Sequence, residues 1–105
     1  MARAITDEPA VGDFDFTRVL EAVADPIRLS ILRQLAGAEE DLSCGAIELP
    51  IKASTATHHF TALRQAGLLH QYYVGTSRLN VLRVDDMETA FPGFLPALLN
   101  AARNT

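Results

Sequence analysis

Ser54, Thr57, His58, Thr61 and Gln65 are interleaved with Ala56, Phe60 and Leu63 in a single short stretch. At about 100° per residue, the first five share one sector of a helix and the last three the opposite one. One face is then small, polar and uncharged, and the other is apolar. Hydroxyl, imidazole and carboxamide groups of this size can approach base edges in a groove and hydrogen-bond them. A face that meets only water usually carries Glu and Lys, and this one carries neither. Arg64 flanks the face, where it is expected to reach a phosphate. Ser54 and Thr55 open the helix, where the dipole favours a phosphate. A second candidate is Gly75-Thr76-Ser77-Arg78, a flexible turn beside a cation. It suits a wing lying along a nucleic-acid backbone or in a minor groove, and an ordinary hairpin turn with an exposed arginine fits it equally. With Lys52 just ahead of the helix, the expected contact set is Lys52, Ser54, Thr55, Thr57, His58, Thr61, Arg64, Gly75, Thr76 and Arg78.

The charge distribution bears on this reading. The 105-residue chain has a formal net charge of −4. From Leu49 to Val84 it contains no Asp or Glu, but Lys52, Arg64, Arg78 and Arg83 and all three histidines. The remainder sets thirteen acids against five arginines, a net of −8. A 36-residue window without an acid reads as one surface turned toward a polyanion, with the acids elsewhere. A well-buried window would give the same pattern, and +4 is modest.

Other chemistries find little support. One cysteine, Cys44, excludes a disulfide framework within the chain and fits a reducing cytoplasm. One Cys with three His makes a closed zinc site unexpected. His58 and His59 diverge by about 100° on a helix and do not readily chelate one ion, so His58 is expected to face DNA and His59 the core edge. Cys44 reads as a small buried apolar residue or as a thiol switch. It precedes the two histidines by more than ten residues, and no phosphate-cradling Gly-rich loop or paired-carboxylate motif is present. Nothing assembles a nucleophile, a base and an oxyanion hole, so the chain reads as a non-enzyme without a cofactor.

These residues need elements to hold them. Length and composition (49% apolar, 21% charged) fit one small globular domain. No stretch approaches the ~20 apolar residues of a membrane span, and the N-terminus lacks the apolar core of a signal peptide. Residues 1–12 read as a flexible tail and 13–105 as the domain. Helices are expected from about Asp13 to Ala24, from Pro26 (capped by Asp25) to Gly37, from Ser43 to about Leu49, and from about Ser54 to Ala66, ended by Gly67. A β-hairpin follows, with strands around Leu69–Val74 and Leu79–Val84 and a turn at Gly75-Thr76. Asp85-Asp86 is expected to cap a last helical region, broken at Pro92-Gly93 and resumed from Phe94 to Arg103. The fold class is mainly α with a small β-hairpin: four helices, two strands and a fifth helix, a winged helix-turn-helix.

The stretches Ala24-Asp25-Pro26-Ile27-Arg28-Leu29-Ser30-Ile31-Leu32 and Ser54-Thr55-Ala56-Thr57-His58-His59-Phe60-Thr61-Ala62-Leu63-Arg64-Gln65-Ala66-Gly67-Leu68 resemble the ArsR/SmtB family of small dimeric winged-helix repressors. The resemblance covers about Phe16 to Val84. It implies that Ser54, Thr57 and His58 read the major groove of an operator, and Lys52 stands where the family often has a Ser cap. It also implies a homodimer on a pseudo-palindromic site, built by the first and last helices. The apolar residues there are Phe14, Phe16, Val19, Leu20, Phe94, Leu95, Leu98 and Leu99. Many members of the family sense a metal. Ser43, Cys44 and Gly45 stand at the family's Cys-Val-Cys site, so both ligand positions are lost, and the last helix lacks the family's His. No metal is therefore expected at the usual sites. A small organic inducer, a protein partner or no ligand remain open. The alternative reading is a winged-helix protein-interaction module that does not bind DNA.

Overall fold

The structure, a computed structural model, describes residues 2–104; Met1 and Thr105, the outer ends of the expected tail and domain, lie outside the described residues. Among the described residues, nine strands and α-helices follow in order, β1 (Ala2–Ala4), α1 (Phe16–Val23), α2 (Pro26–Ala36), β2 (Leu42–Ser43), α3 (Ala53–Ala66), β3 (Leu69–Val74), β4 (Ser77–Leu82), α4 (Val84–Ala90) and α5 (Phe94–Ala102), with 3-10 turns at Val11–Asp13 and Cys44–Ala46. The sheet is antiparallel in the order β1-β3-β4-β2. This is a winged helix-turn-helix. None of the helices described is long and apolar enough to cross a membrane.

The helix boundaries follow local chemistry. Asp15 caps α1 by accepting the Thr17 N–H. Asp25 caps α2, its Oδ1 accepting Ile27 N–H at 2.8 Å and Arg28 N–H at 3.1 Å, with Pro26 at the first helical position. The α3 helix ends at Gly67, whose φ of +101° favours glycine, and the Phe14 ring packs where a Cβ would stand, 2.5 Å away. Val19, Ile31, Leu32, Phe60, Leu63, Leu68, Leu69, Met87 and Leu95 form the buried centre, so α1, α2, α3, α4, α5 and the hairpin share one core.

Three local expectations are corrected. The helix expected over Ser43–Leu49 is a single 3-10 turn, Cys44–Ala46. Its backbone groups find partners elsewhere: Leu42–Ser43 pair with β4, and the Gln34 carboxamide holds both Glu48 N–H (2.9 Å) and Glu48 C=O (2.8 Å). Asp85 and Asp86 lie in the first turn of α4 and do not cap it; Arg83 occupies the cap position and donates to Asp86 at 3.0 Å. The segment read as a flexible tail is docked. Ala2–Ala4 pair with Tyr72–Val74, the Asp7 and Glu8 carboxylates bond to α3 and β3 side chains and backbone, and Pro9 C=O accepts from Arg83. Extended pairing at an open sheet edge supplies what the helical period could not reveal.

Candidate nucleic-acid interface

The α3 helix owes its position to its buried side. Ala56, Phe60, Leu63 and Ala66 face the core, as their spacing requires. His59 is half-buried, and its Nδ1 accepts from Arg28 Nε at 3.1 Å. Asp25 lies 3.9 Å from the same nitrogen. Burial would push the Asp25 carboxyl upward, but the Arg28 and Ile27 amides bound to it hold it below the usual value. The neighbouring His58 points outward and is exposed, as the divergence of adjacent helical residues demands.

Ser54, Thr55, Thr57 and His58 form the exposed side of α3, and Thr61 is half-buried beside them. Thr57 Oγ1 donates back to Ala53 C=O at 3.1 Å, which leaves its lone pairs outward. Lys52, at the cap position, is exposed and contributes no side-chain cap bond, and the first turn carries no acid. The helix start thus offers N–H groups and a cation, without a competing carboxylate.

The wing is the β3–β4 hairpin. Gly75 and Thr76 are exposed at its tip, where Gly75 adopts φ +61°. Arg78 is half-buried. Its guanidinium lies 5.0 Å over the Tyr73 ring, and its Nε donates to the Tyr73 hydroxyl at 3.1 Å. From the neighbouring strand β1, the Arg3 guanidinium also lies 5.0 Å from the centre of that ring. The register pairs Arg3 with Tyr73 and Tyr73 with Arg78, so all three project from one face of the sheet. Arg78 and Thr57 also line one cavity of about 130 Å³, together with Cys44, Gly45, Ala53, Ala56 and Phe60. Helix and wing therefore converge. Sequence reasoning missed Arg3, because a three-residue strand gives too little alternation to read.

Arg64 is a correction. Expected at the surface near a phosphate, it is buried and bonded inward. Its Nε and Nη2 donate to Asp7 at 2.7 and 2.9 Å, and Nη1 donates to Gln71 Oε1 at 2.7 Å. Gln71 passes the chain to Asn80 (2.6 Å), which donates to Leu42 C=O (3.1 Å) and Cys44 Sγ (3.3 Å). Gln71 and Asn80 are fully buried, so this polar run lies between α3 and the sheet and stiffens the platform beneath the exposed face. The Arg64 hydrogen bond, then that of Gln65, holds the Asp7 carboxyl below its ordinary range. Cys44 is half-buried and accepts hydrogen bonds here.

The apolar residues read as a partner surface divide in two. Val19 and Leu95 are buried within their own chain and present nothing outward, which corrects their assignment. Phe14 is half-buried between Gly67 and the Arg83 guanidinium, which lies 4.8 Å over its ring. Phe16 and Leu20 are 42% and 44% exposed. Phe16 joins Phe91 and Phe94 in an aromatic cluster (centroids 4.8 and 5.2 Å), and Phe94, Leu98 and Leu99 are partly buried.

Comparison with known proteins agrees with this architecture. Residues 23–72 match the family model of a helix-turn-helix domain. The chain is also 36% identical over 83 residues to an uncharacterized HTH-type transcriptional regulator of Bacillus subtilis (strain 168), YceK, a match covering 77% of this chain and 83% of that protein. A winged fold with a small polar helix face, matched by the family model over α2, α3 and into the wing and by a relative 36% identical over 83 residues, places this chain in the family of helix-turn-helix transcriptional regulators.

Proposed function

We propose that the protein is a sequence-specific DNA-binding repressor of the ArsR type. It acts as a homodimer that inserts α3 into the major groove of a pseudo-palindromic operator. The observation that carries this reading is the exposed, acid-free face of Ser54, Thr55, Thr57 and His58 beside Lys52. Thr61 lies at the edge of that face. Gly75, Thr76 and Arg78 of the wing, joined by Arg3, supply backbone contacts. Arg64 holds the platform from inside. The ArsR type rests on the resemblance of the two stretches at Ala24–Leu32 and Ser54–Leu68. Dimerisation is supported by the exposed Phe16 and Leu20 beside the Phe91–Phe94 cluster, an apolar patch of the kind that marks a partner site.

The signal we propose is an organic ligand and not a metal at the usual positions. The site of action is the cytoplasm.

The experiment is an anisotropy titration against the DNA upstream of the protein's own gene, at two salt concentrations, with and without chelator. Tight binding that weakens steeply with salt and ignores chelator is the expected result. Absence of binding at low salt turns the reading toward a protein-interaction module, which the −8 outside the window favours.

A further inference from the structure

Between the last turn of α2 and one side of α5 lies a cleft of about 260 Å³, lined by Arg33, Ala36, Gly37, Pro96, Leu99, Asn100 and Arg103. Its floor is apolar and its two cations stand on different helices. No acid lines it, although the chain outside residues 49–84 carries thirteen acids against five arginines. The Arg33 side chain is exposed, and its guanidinium makes no hydrogen bond or ion pair among the described residues. Arg103 is oriented by Asn100, whose Oδ1 accepts from Nη2 at 2.6 Å. A cation near a helix C-terminus needs no ligand to explain it. Two cations from separate helices over one apolar floor, in a strongly acidic part of the chain, are not explained that way.

We propose that this cleft binds a small organic carboxylate: the anion between Arg33 and Arg103, the apolar body on Ala36, Pro96 and Leu99. The volume lies below the ~300–1,000 Å³ of drug-sized sites, so the ligand is small. At about 100° per residue, Pro96, Leu99, Asn100 and Arg103 lie on the side of α5 opposite Phe94, so the ligand stands away from the Phe16, Leu20 and Phe94 patch, and Leu99, expected at the dimer surface, lines the cleft instead. The cleft is also one residue from a connection to α3. Gln34, next to Arg33, holds both backbone groups of Glu48, four positions ahead of Lys52. A ligand that shifts the last turn of α2 therefore shifts the segment that enters α3. This regulatory half rests on the reading of α3 as the DNA-contacting helix; the binding half does not.

The test titrates the full chain with benzoate and with benzamide, its neutral analogue, followed by backbone amide NMR at Gly37, Leu99 and Asn100. Benzoate is expected to bind saturably with a Kd on the order of 1 mM, and benzamide about tenfold more weakly. Arg33→Gln and Arg103→Gln should each weaken benzoate by about three- to tenfold and leave benzamide unchanged. Both side chains are exposed, so unchanged spectra elsewhere verify folding. No saturable shift at roughly ten times that concentration, equal affinity for benzamide, or indifference to both substitutions overturns the site. With DNA present, benzoate should lower the affinity of the wild type and leave the double variant unaffected. Benzoate binding without any change in DNA affinity overturns the regulatory half. Absence of DNA binding altogether overturns the proposed function and leaves the benzoate result standing by itself.

Discussion

Arg64 and Asp7, 57 positions apart, meet as a two-point ion pair, Nε to Oδ1 at 2.7 Å and Nη2 to Oδ2 at 2.9 Å. The pair closes the N-terminal segment over α3, and through Gln71 and Asn80 it reaches β2. A cation in the acid-free window is thus spent on internal structure, and its counter-charge comes from outside the window.

Arg64→Ala should therefore act on stability and not on the salt dependence of DNA binding. Loss of the guanidinium leaves the Gln71 carbonyl buried without its donor, and we expect a cost of about 2–4 kcal/mol. Urea denaturation measures the cost. A log–log salt plot of DNA affinity should keep its slope, whereas a phosphate contact would lower it by about one.

The same pair sets a pH dependence. Because the folded-state value of Asp7 is depressed, its contribution to stability is present above the unfolded carboxylate value near 3.8 and is lost as pH falls through the depressed folded value. Acidification should release residues 2–8 from α3 and β3 ahead of global unfolding. The Arg64 Nε–H resonance follows this release, and Asp7→Asn should abolish its pH dependence in that range.

On the exposed side of α3, Thr57→Ala and His58→Ala should each weaken operator binding by about 1–3 kcal/mol, and stability should change by no more than about 0.5 kcal/mol. Arg3→Ala and Arg78→Ala should instead weaken all DNA sequences alike and reduce the salt slope. Competition between operator and random DNA separates the two classes. Unchanged operator affinity in the α3 variants would favour the protein-interaction reading.

Gly67→Ala places a methyl group at φ +101° against the Phe14 ring. Strain in this region costs about 1–3 kcal/mol, and the ring must also move. Thermal denaturation should show a lower Tm, and Phe14→Ala should recover part of the clash at its own packing cost.

For the proposed dimer, Phe16→Glu together with Leu20→Glu should give a folded monomer by sedimentation velocity. Both side chains are already more than two-fifths exposed, so the fold itself should tolerate the change. A wild type that already sediments as a monomer would remove the dimer from the proposed function.

The sequence made some of this legible and hid the rest for identifiable reasons. Asp25-Pro26, Gly67 and the apolar spacing of Ala56, Phe60 and Leu63 act within a few residues, so α2, α3 and the hairpin could be read directly. The outward His58 and inward His59 follow from helical geometry alone. Arg64 was misread because its partner lies 57 positions away and no local pattern announces it. The segment over Ser43–Leu49 has helical spacing on paper, but β4 and Gln34 claim its backbone groups. Val19 and Leu95 are apolar residues of the same helices as Phe16 and Phe94, offset from them by about 60° and 100°. Only the packing of α1 and α5 tells which of them the chain covers itself.

The two arginines stacked on Tyr73 give the protein a built-in optical reporter. The chain has no tryptophan and only two tyrosines. The hydroxyl of Tyr72 donates to the Asp41 carboxylate, an arrangement that quenches emission, whereas Tyr73 has the Arg3 and Arg78 guanidiniums each 5.0 Å from its ring centre. Both tyrosines lie in β3, so unlabelled protein excited near the tyrosine band should emit mainly from Tyr73. Any phosphate that draws Arg3 or Arg78 away from the ring would register as a change in that signal, without a dye.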